Sequence, residues 1–132
     1  MIIMYSTGNI RADLQRQRER IVGEAVDSFR DDSYFQGKGV PPEDLVRTVC
    51  DSMLDLLLSE SSRDTAMVER YVEWLYNLIR KESKKIDTTM DFLDRFENIV
   101  TRHLSNAEDV QVDVFFEICR ETLKRKHSEL AR

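Results

Sequence analysis

The chain contains little of what interrupts a fold or staples it covalently. Its 132 residues include only two prolines, four glycines and two cysteines. Few prolines and glycines leave helices uninterrupted, and 34% charged residues beside 41% hydrophobic ones are typical of helical domains. Cys50 and Cys119 lie in apolar sequence, which indicates small core residues in a reducing compartment rather than a disulfide framework. We therefore expect one all-α domain in the cytoplasm.

The composition of the chain disfavours binding to membranes and to nucleic acids. No apolar run approaches the roughly 20 residues that a membrane-spanning helix needs. The apolar segment from Met1 to Tyr5 is too short for a signal peptide and lacks its basic start. The net charge of −5 disfavours nucleic-acid binding, which requires a basic face. We expect neither a membrane nor a nucleic acid to be a partner.

Apolar residues at helical spacing predict five main helices. Their starts follow capping rules: a polar cap before the first turn, or proline with acids inside it. In chain order we expect helices at about Asn9 to Asp31, from Pro41-Pro42-Glu43-Asp44 to Leu58, from Ser61-Ser62-Arg63-Asp64 to Ile79, from Asp87 or Thr88 to Leu104, and from Ala107 to Leu130.

The last of these segments is ambiguous in its first half. Alternate residues are apolar there, which is also the period of a strand: Val110, Val112, Val114, Phe116 and Ile118. A capping sequence, Asn106-Ala107-Glu108-Asp109, precedes it, and helical spacing continues from Arg120 to Leu130. We therefore predict a helix.

This fifth helix is apolar on almost every side in its first half, so it must be covered on every side. One heptad-spaced seam suits packing against a partner helix: Val112, Phe116, Cys119, Leu123, Lys126 and Leu130. A second seam can face the domain's own core: Val110, Val114, Phe115, Ile118 and Thr122. Which seam faces inward is open. We expect a homodimer whose interface uses Val112, Phe116, Cys119 and Leu123.

Catalytic motifs are missing from the sequence. Neither His103 nor His127 has a glutamate three residues before it, and there is no HExxH, nucleophile elbow or phosphate-binding glycine loop. We expect no enzyme activity, no metal and no cofactor. His103 could be the axial ligand of a haem, but a histidine at a helix end is the simpler interpretation. We expect His127 to be solvated.

Four aromatic residues could line a pocket for a small apolar ligand or a contact surface: Trp74, Tyr76, Phe92 and Phe96. Ordinary core packing is the default for Phe96. For Trp74 and Tyr76 we expect partial exposure or a place in an interface.

The order of these elements resembles the N-terminal sensor domains of RsbR-type stressosome proteins. The resemblance covers about Ile10 to Leu130 and uses soft patterns: an amphipathic first helix with Leu14 and Phe29, a helix like Leu45 to Leu58, then Tyr71-Val72-Glu73-Trp74-Leu75, then Ile86-Asp87-Thr88-Thr89-Met90-Asp91-Phe92-Leu93. It implies a globin-like fold without haem, dimers within a large signalling assembly with other stressosome or signalling proteins, and a final helix leading to a STAS output domain.

In this interpretation residues 1–8 are a flexible N-terminus, 9–123 a sensor domain, and 124–132 a helical stem toward the output domain. A shorter likeness covers Val40-Pro41-Pro42-Glu43-Asp44-Leu45, which is similar to a helix start in the N-terminal domain of RsbU-type phosphatases. That domain binds a switch kinase, so the alternative function is partner docking. Neither resemblance fixes a binding residue in this chain.

Overall fold

The structure, a computed structural model, describes residues 7–32, 35–59, 64–79, 86–103 and 109–130. Over these residues it contains five helices: α1 (Thr7–Phe29), α2 (Pro42–Leu58), α3 (Thr65–Ile79), α4 (Asp87–Arg102) and α5 (Asp109–Leu130). The all-α prediction and the long final helix are confirmed. Because Asp109–Leu130 is one continuous helix, the strand alternative for this segment is wrong. Within the described ranges, no helix is long and apolar enough to span a membrane.

The starts of the helices follow local chemistry, with two corrections. The second and fourth begin at Pro42 and Asp87, as predicted. The third begins at Thr65, because the Asp64 carboxylate accepts hydrogen bonds from the backbone N–H of Ala66 (3.0 Å) and of Met67 (3.4 Å). Asp64 therefore caps α3, whereas Ser61 and Ser62 lie outside the described residues. The first helix already includes Asn9, so Asn9 is not its cap.

The end of α1 is fixed by a side chain from α4. The Arg95 guanidinium donates to the Ser28 carbonyl (2.7 Å), lies 2.7 Å from an Asp32 carboxylate oxygen, and covers the Phe29 ring at 4.4 Å. The last carbonyls of a helix have no partner inside the helix, so this contact satisfies one of them. The turn that follows uses Gly37 and Gly39 at φ 70° and 87°, a left-handed conformation that glycine adopts without strain.

One hydrophobic core joins all five helices. Helix α1 packs against α2 and α4, while α5 packs against α3 and α4. The α1–α4 side of the core is aromatic: Phe92 lies 4.8 Å from Phe29 and 5.7 Å from Phe96, measured between ring centroids. Each such ring, when fully buried, contributes about 1.5–3 kcal/mol. Outside the core, Arg18 links α1 to α2 through contacts of 3.1 Å to Asp51 and 2.8 Å to Asp55.

Candidate functional site

The seam expected to form a dimer contact faces the chain's own core. Val112, Phe116, Cys119 and Leu123 are fully buried within the single chain. The outward orientation assigned to these four residues is therefore wrong, because they have no exposed surface to offer a second copy. The physical reason is that α3 and α4 both pack on α5 and cover this seam. Dimerisation itself stays a prediction.

The other seam of α5 is also partly covered. Phe115 and Thr122 are buried and Ile118 is half-buried, whereas Val114 is 37% exposed. The side chain of Val110 lies outside the described ones. Because the domain covers most of both seams, a helix that is apolar on almost every side needs no second chain to cover it here.

Beyond the core, α5 is held to α3 by polar contacts. Arg125 lies 2.8 Å from Glu69, and the Lys126 ammonium lies 3.2 Å from both Glu69 and Glu73. Hydrogen bonds from Arg125 and then Lys126 lower the pKa of Glu69, and hydrogen bonds to Glu73 and Glu69 raise the pKa of Lys126. We call these residues, together with Tyr76 and His127, the α3–α5 clasp.

The buried end of the clasp is a tyrosine–histidine pair. The hydroxyl of Tyr76 lies 3.2 Å from Nδ1 of His127, and the two rings meet edge to face with centroids 6.0 Å apart. Tyr76 is almost fully buried and His127 half-buried. Two expectations are corrected: Tyr76 is not exposed, and His127 is not a solvated residue of a stem. The predicted stem therefore starts as a segment docked on α3.

An open, acidic hollow lies between α4 and α5. It measures about 460 Å³ and is lined by Glu97, Asp113, Val114, Glu117 and Arg120. Arg120 pairs with Glu97, lies 2.9 Å from Asp94 on α4, and lies 3.3 Å from Glu117 on its own helix.

Burial and a hydrogen bond to Asp113 raise the pKa of Glu97, against the opposing effect of Arg120. The carboxylates of the hollow are thus partly neutralised by one guanidinium. In the described part of the chain, no group of three or more His, Cys, Asp or Glu side chains could hold a metal ion.

The four aromatic residues predicted for a pocket occupy different environments. Phe92 and Phe96 are fully buried in the aromatic part of the core, and Tyr76 belongs to the clasp. Trp74 is 43% exposed on α3, where its ring lies 5.5 Å from that of Tyr71. Core packing of Phe96 and exposure of Trp74 match the expectations.

The two cysteines and His103 serve packing and helix pairing. Cys50 and Cys119 are buried free thiols, and burial raises the pKa of both, that of Cys119 to about 12. The imidazole of His103, at the end of α4, contacts the Glu24 carboxylate through Nε2 at 2.9 Å. Glu24 also pairs with Arg102, so it links α1 to the end of α4. A haem would have to displace this carboxylate from Nε2.

The clasp could not be found from the sequence alone. Its residues are charged or polar and lie on two helices, and the Tyr76–His127 pair spans 51 residues. The local pattern instead suggested a solvated stem. Comparisons of the chain with protein-family models, with curated proteins and with solved structures found no match.

Proposed function

We propose that this chain is a regulatory, non-catalytic helical domain in which α5 passes a conformational change to an output partner. The observation that best supports this proposal is that the two halves of α5 are held by different kinds of contact, which we call the division of α5. Its first half is fixed in the core by Val112, Phe116 and Cys119, whereas its last turns contact α3 through the exchangeable polar pairs of the clasp. The last turns can therefore change partners without unfolding the core.

Such a relay needs two arrangements of α5 that lie close in free energy. A signal shifts an equilibrium only by its differential affinity for the two states. Ion pairs at a protein surface contribute little each, so a modest signal can break them. Buried apolar contacts like those of Phe116 are lost only at a much larger cost. The clasp is thus the region where a displacement of α5 costs the least free energy.

The sensor role inferred from the RsbR resemblance fits this division of α5. In that proposal the domain is dimeric and cytoplasmic, responds to a small apolar ligand or to a stressosome-like partner, and transmits through residues 124–132 to a STAS-type domain. Native mass spectrometry of the freshly purified chain tests the ligand. A bound mass that survives buffer exchange supports a small-molecule sensor, and a chain without added mass contradicts that part of the proposal.

Hydrogen exchange tests the relay. The double variant Glu69→Gln, Glu73→Gln removes the carboxylates of α3 that pair with Arg125 and Lys126, and leaves only Glu129 of α5 itself, 3.7 Å from Lys126, among the described ion-pair partners of the two cations. We expect amides in the last turns of α5 to exchange roughly five- to tenfold faster, while amides near Phe116 keep their protection.

The matched control is Glu121→Gln, which removes a carboxylate that pairs with Lys124 at 3.4 Å within α5 itself. This control should leave exchange in the last turns nearly unchanged. If the double variant behaves like Glu121→Gln, or if the whole of α5 loses protection together, the division of α5 and the proposed relay are both wrong.

Partner docking is the second candidate function, and one observation favours it. Val40 is 48% exposed just before α2, beside the exposed carboxylates of Glu43 and Asp44. This is the segment that is similar to RsbU-type domains. A kinase-like partner would be expected to bind the wild-type chain and lose affinity for Val40→Asp. Equal binding of both proteins would remove this candidate.

A further inference from the structure

The outer face of α3 carries large apolar side chains in contact with solvent. Met67 is 40% exposed and Trp74 43% exposed, with half-buried Tyr71 and Leu78 beside them. Met67 and Trp74 are seven residues apart, so they lie on the same side of the helix about 10 Å from each other. We call Met67, Arg70, Glu73 and Trp74 the α3 face.

The charged side chains of the α3 face can form ion pairs in addition to those seen within the chain. Arg70 is exposed and forms no ion pair with any residue that the structure describes. Glu73 is paired with Lys126 at 3.2 Å, yet its side chain stays 49% exposed. A carboxylate has several lone pairs, so Glu73 can accept a second cation.

The α3 face is complementary to itself. We propose that it is the contact surface for a second copy of this chain, with the two α3 helices antiparallel about a two-fold axis. In that arrangement Met67 of each copy packs on Trp74 of the other, and Arg70 of each copy pairs with Glu73 of the other. Two-fold contacts of this kind use one patch twice, which is the commonest symmetry of protein dimers.

The spacing of the four residues permits both contacts at once. Antiparallel helices related by a two-fold axis bring positions together when these lie at equal distances on either side of the axis. The centre of the Met67–Trp74 pair and the centre of the Arg70–Glu73 pair are one residue apart, about 1.5 Å along the helix. Arginine and methionine side chains are long and flexible enough to absorb that offset.

A second copy is favoured over an unrelated partner because each group on the α3 face finds its complement on the same face of another copy. It offers one large aromatic ring, one flexible thioether, one anion and one cation that pairs with none of the described carboxylates. Trp and Arg are also the residue types that contribute most at interfaces. This proposal does not rest on the clasp relay, because Met67, Arg70 and Trp74 lie outside the clasp and only Glu73 belongs to both surfaces.

Trp74 is the single tryptophan of the chain, so it reports directly on the proposed contact. Sedimentation velocity and tryptophan emission are measured over a concentration series. We expect the dimer fraction and a blue shift of the emission to rise together. A chain that stays monomeric up to millimolar concentration, or that dimerises with unchanged emission, overturns the proposal.

Neutral substitutions on the surface identify the apolar contact. Met67→Gln and Trp74→Gln are each expected to weaken association at least tenfold, because each removes two symmetry-related contacts from the dimer. The matched control is Val40→Gln, which changes another exposed apolar side chain on a different part of the domain. If Val40→Gln weakens association as much, or if the α3 variants do not, the dimer forms elsewhere.

A charge exchange identifies the antiparallel pairing. Arg70→Glu places two carboxylates opposite each other, and Glu73→Arg places two guanidinium groups opposite each other, so each variant alone is expected to be monomeric. Mixing the two variants restores both opposite-charge pairs. We expect a heterodimer of near wild-type affinity. A mixture that remains monomeric contradicts the assigned pairing, even if each variant is folded and helical.

Discussion

The Tyr76 hydroxyl on α3 and Nδ1 of His127 on α5 lie 3.2 Å apart, which joins the last turns of the chain to the middle of the domain. Around this pair, Glu69 and Glu73 hold Arg125 and Lys126. The contact turns a segment that looks solvated in sequence into one whose position depends on α3. Predictions about α5 therefore concern this pair and its acidic neighbours first.

Removing the Tyr76 hydroxyl tests the buried end of the clasp. Tyr76→Phe keeps the ring but leaves the half-buried His127 to bond with water, so we expect a loss of about 0.5–1.5 kcal/mol in the free energy of unfolding. Urea unfolding measures it. Hydrogen exchange in the last turns of α5 should also quicken. A variant with wild-type values in both measurements would show that the pair contributes nothing to the docking of α5.

Acid should open the clasp before it unfolds the core. Hydrogen bonds from Arg125 and then Lys126 lower the pKa of Glu69 from its ordinary value of 4.5. A carboxylate whose pKa falls on folding contributes stability that is present above its unfolded pKa and is lost as pH falls through the folded pKa.

The last turns of α5 should therefore lose protection below about pH 4.5, after correction for the pH dependence of intrinsic exchange. Glu69→Gln, which has no carboxylate at this position to titrate, should show less of this effect. Identical pH profiles for wild type and variant would refute the role of Glu69.

Thr89 is a position where substitution should stabilise the domain. It is fully buried near the start of α4, and its Oγ1 has no hydrogen-bond partner within the part of the chain that the structure describes. A buried hydroxyl without a partner costs about 1–3 kcal/mol, and valine has nearly the same shape. We expect Thr89→Val to raise the free energy of unfolding by about 1 kcal/mol.

The matched control is Thr101→Val on the same helix. The Thr101 hydroxyl donates to the Asn98 carbonyl at 3.2 Å, so its removal should give no gain. Chemical denaturation of both variants makes the comparison. A loss of stability in Thr89→Val would mean that the hydroxyl is satisfied in solution.

The two thiols should react only when the domain opens. Burial raises the pKa of Cys50 well above its usual range and that of Cys119 to about 12, and the thiolate is the reactive form. In the folded protein at pH 8 we expect labelling by a thiol reagent to be slow and limited by opening. In denaturant both cysteines should react rapidly. Fast labelling of the native chain would contradict the burial of these side chains.

Much of the helical architecture follows from local rules. Apolar spacing placed five helices, proline with acids marked the start at Pro42, and Asp87 marked the start of α4. The start of α3 was missed by a few residues because several polar residues in a row can cap a helix. Asp64 takes that role through its two hydrogen bonds to backbone N–H groups.

The candidate site was less predictable, because it depends on contacts between distant residues. Exposure of Trp74 and burial of Phe96 were anticipated, whereas the burial of Tyr76 and the docking of His127 were not. No local pattern pairs a tyrosine on α3 with a histidine on α5. Likewise, the charged side chains of the clasp, such as Glu69 and Lys126, look solvated in the sequence, because they pair only when α3 and α5 lie side by side.

Local properties of the sequence, namely its apolar period, its capping residues and its composition, suffice to predict five helices, the approximate position of each and two buried cysteines. The orientation of α5 about its own axis is visible only in the folded domain. Two of its seams are apolar, and the neighbours that cover a residue are set by the packing of the whole chain. With α3 and α4 against it, Phe116 and Leu123 become core, and Met67 and Trp74 of α3 remain in contact with solvent.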